Sequence, residues 1–113
     1  MLIDAAFPDA GEALPEMEMS LFVRPLFRPG EGRITAGAQA ALQAMNVSPV
    51  LLLSLHLTGD WGEVSEEDRK ANERAVASGG GRILSAHAVR GVRFCVVTEG
   101  DLSATTIALA DES

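Results

Sequence analysis

Apolar positions in this chain change their spacing part-way along, from a helical period in the first half to near alternation in the second. Ala36 to Met45 is alanine-rich, with Ala40, Leu42 and Met45 as candidate buried positions and Thr35 placed to cap the N-terminus. Asn46 suits a left-handed stop. Ser48-Pro49 then reads as the cap and first residue of a second helix, which runs through Leu51, Leu52, Leu53 and Leu55 to about Leu57. Its leucines lie all round, which predicts the buried centre of the fold. A third helix begins at Ser65, with Glu66, Glu67 and Asp68 in the first turn, where the helix dipole favours acids. Its inner face is small (Ala71, Ala75, Val76), and Gly79-Gly80-Gly81 ends it.

Beyond those glycines the period falls to that of strands. Arg82–Val89 and Val92–Glu99 flank Arg90-Gly91, a hairpin turn, and Ala104–Ala110 follows Gly100–Ser103. Alternation assigns Leu84 and Ala86, then Val92, Phe94 and Val96, then Ile107 and Leu109 to the core face. Helices first and a meander last predict an α+β domain. Two or three N-terminal helices should pack on one face of a three- to four-stranded antiparallel sheet. The fourth strand would be Met19–Phe27, which Pro25 confines to an edge, followed by a turn at Pro29-Gly30-Glu31-Gly32. Residues 1–17 carry Pro8, Gly11, Pro15 and several acids and read as an acidic arm or loop, leaving residues 18–113 as the single α+β domain.

Composition narrows the class. The chain has 113 residues, room for one domain. The lone Cys95 excludes an intrachain disulfide and a Cys-rich zinc site, and between Phe94 and Val96 it reads as a packing residue. The apolar run Val50–Leu57 is interrupted by Ser54 and His56 and falls short of the roughly 20 residues of a membrane span. Met1-Leu2-Ile3-Asp4 has no basic leader region. The expectation is a cytoplasmic protein with no membrane role. Net charge is −7, with acids gathered in residues 1–19, in 60–68 and after Arg93. Such a chain repels phosphate backbones and favours basic protein or nucleoprotein partners. Solubility alone also accounts for these charges.

The densest chemistry is His56-Leu57-Thr58-Gly59-Asp60-Trp61-Gly62. His56 at a helix end, oriented by Asp60, has the makings of a general base. The structural account is that His56 caps the helix, Gly59 and Gly62 permit tight backbone geometry, and Trp61 plugs the gap where the chain reverses. This account is the stronger. His87 could join His56 as an acid–base pair for RNA transesterification, with Thr98, Thr105 or Thr106 assisting and Arg82, Arg90 or Arg93 on phosphate. Their spacing forms no motif, and alternation sets His87 opposite Leu84 and Ala86, on an exposed face. No metal-ligand spacing appears, no cofactor is expected, and Gly79-Gly80-Gly81 lacks the Lys-Ser/Thr of a phosphate loop.

The segment His56–Gly62, then Glu67-Asp68 with Asn72, then Arg82-Ile83-Leu84-Ser85-Ala86 and Val97–Thr106, resembles a family of small proteins of phages, plasmids and integrated elements. That family has the pattern H-x-x-G-D-W-G, E-D-x-x-x-N, R-x-L-S-A and I-T-E-A-D-R-S-x-T. The resemblance covers roughly residues 33–110 and implies a mobile-element context rather than a chemistry. Leu102 stands where the pattern has Arg; if that Arg contacts phosphate in relatives, that chemistry is in doubt here. The order of elements is also similar to that of the barnase-like ribonuclease and toxin fold, an analogy of topology alone. The leading expectation is a non-enzymatic protein that binds and inhibits a host nucleic-acid-targeting defence complex, of anti-CRISPR or antirestriction type. It would do so through Asp60, Glu63, Glu66, Glu67 and Asp68. The alternatives are a ribonuclease-like toxin using His56, His87 and Thr105, and a structural or virion accessory protein.

Overall fold

The computed structural model describes residues 25–112. The acidic arm expected at residues 1–17 and most of the strand expected at Met19–Phe27 lie outside the described residues. Pro25, Leu26 and Phe27 are not in a strand. The first strand, β1, is Glu31–Ile34, four residues that alternate exposed and buried. The turn predicted over Pro29–Gly32 is therefore shorter than expected. Gly30 makes it, at φ +68°, and a β-carbon there would overlap the backbone of Ser103.

Three helices follow, each started by the cap its sequence predicts. Thr35 accepts from the Ala38 amide (3.1 Å) at the head of α1, Ala36–Met45. Ser48 accepts from Val50 (3.1 Å) at the head of α2, Pro49–Leu57, and Ser65 from Asp68 (3.0 Å) at the head of α3, Glu66–Ser78. Asn46 (φ 56°) and Gly79 (φ 81°) stop α1 and α3 in the left-handed region. The strands β2 (Ile83–Val89), β3 (Val92–Thr98) and β4 (Ala104–Leu109) form the expected meander, with Arg90-Gly91 at positive φ in the hairpin. No single helix among the described residues is long and apolar enough to cross a membrane.

The architecture is α+β, with a mixed rather than wholly antiparallel sheet in the order β1-β4-β3-β2. β1 runs parallel to β4, pairing Ile34 with Ile107 and Gly32 with Thr105. A parallel pair needs a long crossover, and the whole course from α1 to β3 supplies it. α1 and α2 cover one face. Ala38, Leu42, Leu52, Leu53 and Leu57 meet Ile34, Phe94, Val96 and Ile107, all almost fully buried. Ala40, expected inside, is exposed and Ala38 takes its place. α2 is not buried all round either, because Leu51 is 49% exposed.

β2 is shifted by one residue from the expected face. Ile83, Ser85 and Val89 are paired with Thr98, Val96 and Val92 on the helix side, so Leu84 and Ala86 project to the reverse side. α3 lies along the free edge of β2. The Asn72 side chain donates to the Leu84 carbonyl (2.7 Å) and accepts from its amide (3.0 Å). Just beyond, the Ala86 amide donates to Trp61 O (3.0 Å) and the Glu63 amide to Ala86 O (2.8 Å). The edge that would otherwise template another strand is thus occupied. Trp61, Ala75 and Ile83 form a second small core beneath it, with Phe27, Val64 and Val76 against them.

Trp61 is 4% exposed, so Trp61→Ala should cost about 3–5 kcal/mol, as emptying a large buried site does. Leu51→Ala, at a half-exposed position, should cost under about 1 kcal/mol. Urea titration of the two variants checks the contrast. An unchanged midpoint for Trp61→Ala would show that Trp61 does not hold this edge.

Candidate functional site

His56 sits in the last turn of α2, the helix buried against the sheet, and its ring lies over the strands. Its Nδ1 is 2.7 Å from Ser85 Oγ and its Nε2 is 2.9 Å from Thr98 Oγ1. Thr98 Oγ1 is 2.7 Å from Thr105 Oγ1, which is 2.6 Å from the Pro29 carbonyl. His56, Ser85, Thr98 and Thr105 are all fully buried.

One fixed acceptor sets the direction of every proton in this chain. A carbonyl can only accept, so Thr105 donates to Pro29. A hydroxyl has one hydrogen, so Thr105 accepts from Thr98, and Thr98 accepts from His56 Nε2–H. The neutral ring then carries its proton on Nε2, and its bare Nδ1 accepts from Ser85. Burial is the main force that lowers the His56 pKa from 6.5 to about 3, and the nearby His87 lowers it further. Because the folded-state value lies below the unfolded one, the unfolded chain binds the proton more readily. The contribution to stability is complete above about pH 6.5 and is lost as pH falls toward about 3.

Phe27 meets the His56 ring edge-on at 5.3 Å between centroids, and Trp61 at 6.0 Å. The two cover rings are themselves roughly parallel, 6.4 Å apart. No face of His56 is left to solvent. The expected partners of a transesterification site divide into two groups. Thr98 and Thr105 join His56. His87, half-buried on the rim of β2, instead places Nε2 3.0 Å from the Asp60 carbonyl. It is on the same side of β2 as Ser85, not on the exposed face the alternation predicted, because the strand register is shifted. Thr106 is on the other side of β4 from Thr105. Arg90 donates to Met45 O (3.1 Å), Arg93 pairs with Glu63 (3.4 Å), and Arg82 is exposed, so none reaches the buried chain. Ser85, the hydroxyl on Nδ1, has no role toward His56 in the sequence reading. The signal was present as a serine and a histidine, Ser85 and His87, alternating at positions where a core strand would carry apolar residues.

The glycine-bracketed turn holds the rest of the motif. Gly59 has φ +90° and Gly62 φ +70°, and a β-carbon at Gly62 would overlap the Ala86 carbonyl. Asp60 does not reach the His56 ring; its Oδ1 accepts from the Gly62 amide at 3.2 Å. His56 is therefore oriented by Ser85 and Thr98, a correction to the pairing of His56 with Asp60. Asp60, Glu63, Glu66, Glu67 and Asp68 are all exposed. Glu66 lies 3.6 Å from Arg69 and Glu63 3.4 Å from Arg93, pairs open to solvent. Beside the turn, an open cleft of about 300 Å³ runs between Trp61 and the Glu73–Ala77 face of α3. Cys95 is half-buried on β3, its partner Ala86 placing it on the reverse side of the sheet. Among the described residues no group of three or more His, Cys, Asp or Glu is placed to hold a metal ion.

His56, Ser85, Thr98 and Thr105 form the chain; Asn72 and Trp61 close the edge beside it. Leu102 adopts φ +60° in the loop before β4. Comparison with protein-family models, with curated proteins and with solved structures finds no match to the chain.

Thr105→Val keeps the side-chain shape but leaves the Thr98 hydroxyl hydrogen and the Pro29 carbonyl without partners. Stability should fall by about 1–3 kcal/mol. Adding Thr98→Val should cost less than the sum of the two singles, because each removes part of one connected network. Chemical denaturation of the three variants checks this; strict additivity would mean that the hydroxyls act independently.

Proposed function

We propose that this chain is a non-enzymatic binding protein that presents the acidic stretch Asp60–Asp68 to a basic partner surface. The observation that supports this reading is the division of the candidate residues. The histidine chemistry is sealed and fully partnered, whereas all five acids face solvent on one stretch. That stretch is anchored at Trp61 by the pairing with Ala86 and at Ser65 by the α3 cap. Its charges are thus carried on a fixed backbone, which limits the ordering cost of association. The pairs Glu63–Arg93 and Glu66–Arg69 are exposed and weak, so they yield readily to a better-placed cation.

The resemblance to proteins of mobile elements suggests the partner class: a host complex that targets nucleic acid, of the kind met by anti-CRISPR and antirestriction proteins. Such complexes hold their substrate in basic grooves. An acidic protein gains rapid encounter there by charge complementarity and competes with the phosphate backbone.

A pull-down from a bacterial host identifies the partner, and surface plasmon resonance at several salt concentrations tests the surface. Reversing Glu63, Glu66 and Glu67 to Lys should slow association and flatten its salt dependence. The reversals in the first turn of α3 should cost about 0.3–1 kcal/mol each through the helix dipole, leaving the fold intact. An unchanged association rate in the triple variant would exclude this stretch as the interface. The purified chain should leave RNA and DNA uncut; cleavage abolished by His56→Ala in a folded variant would overturn the binding reading.

A further inference from the structure

The polar chain is satisfied in only one protonation state. With His56 neutral, every hydrogen from Ser85 to Thr105 points one way and ends on Pro29 O. A second ring proton must sit on Nδ1, where Ser85 already donates. Ser85 then has to rotate and accept, and its own hydrogen loses its acceptor in a fully buried place. The other end of the chain is undisturbed, because Nε2 donates to Thr98 in both states. The conflict is confined to the Ser85 side of the ring, and the cation itself is fully buried with only hydroxyl partners among the described residues.

Among the described residues, the groups around the ring offer no relief. α1, α2 and β4 carry no other charged or titratable side chain. On β1, Glu31 and Arg33 are exposed and alternate with the buried Ile34. On β3, Arg93 and Cys95 lie on the opposite side from Phe94 and Val96. β2 contributes only His87, which opposes a second positive charge. Among the described residues, the carboxylates beside the cover, Asp60 in the turn and Glu73 on α3, are at the surface. The cheapest way to solvate the imidazolium is therefore to admit water.

The cover differs in strength between its two rings. Trp61 belongs to a segment pinned to β2 by two backbone hydrogen bonds and by His87 on Asp60 O. Phe27 is half-buried in the run 25–30, which is tied at Leu26 N–H to Leu57 O (2.8 Å) and at Pro29 O to Thr105. Its neighbours Leu26 and Arg28 are exposed. Phe27 packs against both cores, but among the described residues its displacement breaks no sheet hydrogen bond.

We propose that His56, Ser85 and the Phe27 cover form an acid-sensitive latch, in which protonation of the ring drives Phe27 off and lets water in while the sheet and helices persist. The latch is independent of what the acidic stretch binds.

Trp61 is the chain's one tryptophan, and there is no tyrosine, so intrinsic fluorescence reports this place alone. On acidification, Trp61 emission should change reversibly by about one pH unit or more before the far-UV circular dichroism of the helices is lost, because an imidazolium and water arrive beside it. His56→Gln, which stays neutral, should abolish the early change and keep the later one. In the wild-type chain the His56 Cε1–H resonance should titrate with the fluorescence, a readout that stands even if the Gln variant does not fold. Coincident fluorescence and circular dichroism transitions would overturn the latch, as would an early change that survives in folded His56→Gln or a His56 resonance that titrates elsewhere.

Discussion

The carbonyl of Pro29 has no hydrogen to give, and the interior of the protein is arranged around that fact. It forces the hydroxyls of Thr105 and Thr98 into one orientation, selects the Nε2–H form of His56, and leaves Nδ1 for Ser85. Four fully buried polar side chains would be a liability in a small domain if any hydrogen were unmatched. Here each hydrogen from Ser85 to Thr105 has an acceptor. The chain ties the last turn of α2 to β2, β3 and β4, and reaches the segment that leads into β1. It specifies register as well as stability: slipping β2 by one residue would take Ser85 out from under the ring.

The same interaction accounts for the dense motif around Gly59–Gly62. A buried neutral imidazole needs a dry cover, and Trp61 and Phe27 provide it. Trp61 can lie there only if the backbone turns sharply on each side, which Gly59 and Gly62 allow at positive φ. The turn then runs beside β2, exchanging two backbone hydrogen bonds with Ala86 and blocking the edge. The concentration of His, Asp, Trp and Gly in the sequence is, in space, a buried histidine, one of its two cover rings and the turns that fix that ring. Asp60 and the acids that follow are left on the outside of this turn, which is why the binding reading is assigned to them.

Much of the local structure was legible in the chain itself. Thr35, Asn46, Ser48-Pro49, Ser65 and Gly79 announce their helix ends because capping is a contact between residues a few positions apart. Arg90-Gly91 announces the hairpin for the same reason. The helices-then-meander order and the core positions Leu42, Phe94, Val96 and Ile107 follow from periodicity. For the site, the sequence marks His56, Trp61, the acids and the threonines Thr98 and Thr105 as candidates, but gives no sign of the bonds from His56 to Ser85 or from Thr105 to the Pro29 carbonyl.

What the sequence by itself determined was therefore short in range: caps, turns, element order, the mixed helical and strand class, and the separation of an acidic surface from an apolar interior. Tertiary structure decided the rest. β1 is read as part of a turn until β4, some seventy residues later, offers it a parallel partner, since a four-residue strand has no stability alone. Ser85 is read as an outward residue until a histidine from another element arrives to accept its proton. Ala40 yields to Ala38 because the direction from which the sheet approaches α1 is not written in α1. In each case a polar or ambiguous residue acquires its place from a partner distant in sequence, and a hydrogen bond made across that distance leaves no periodic trace in the chain.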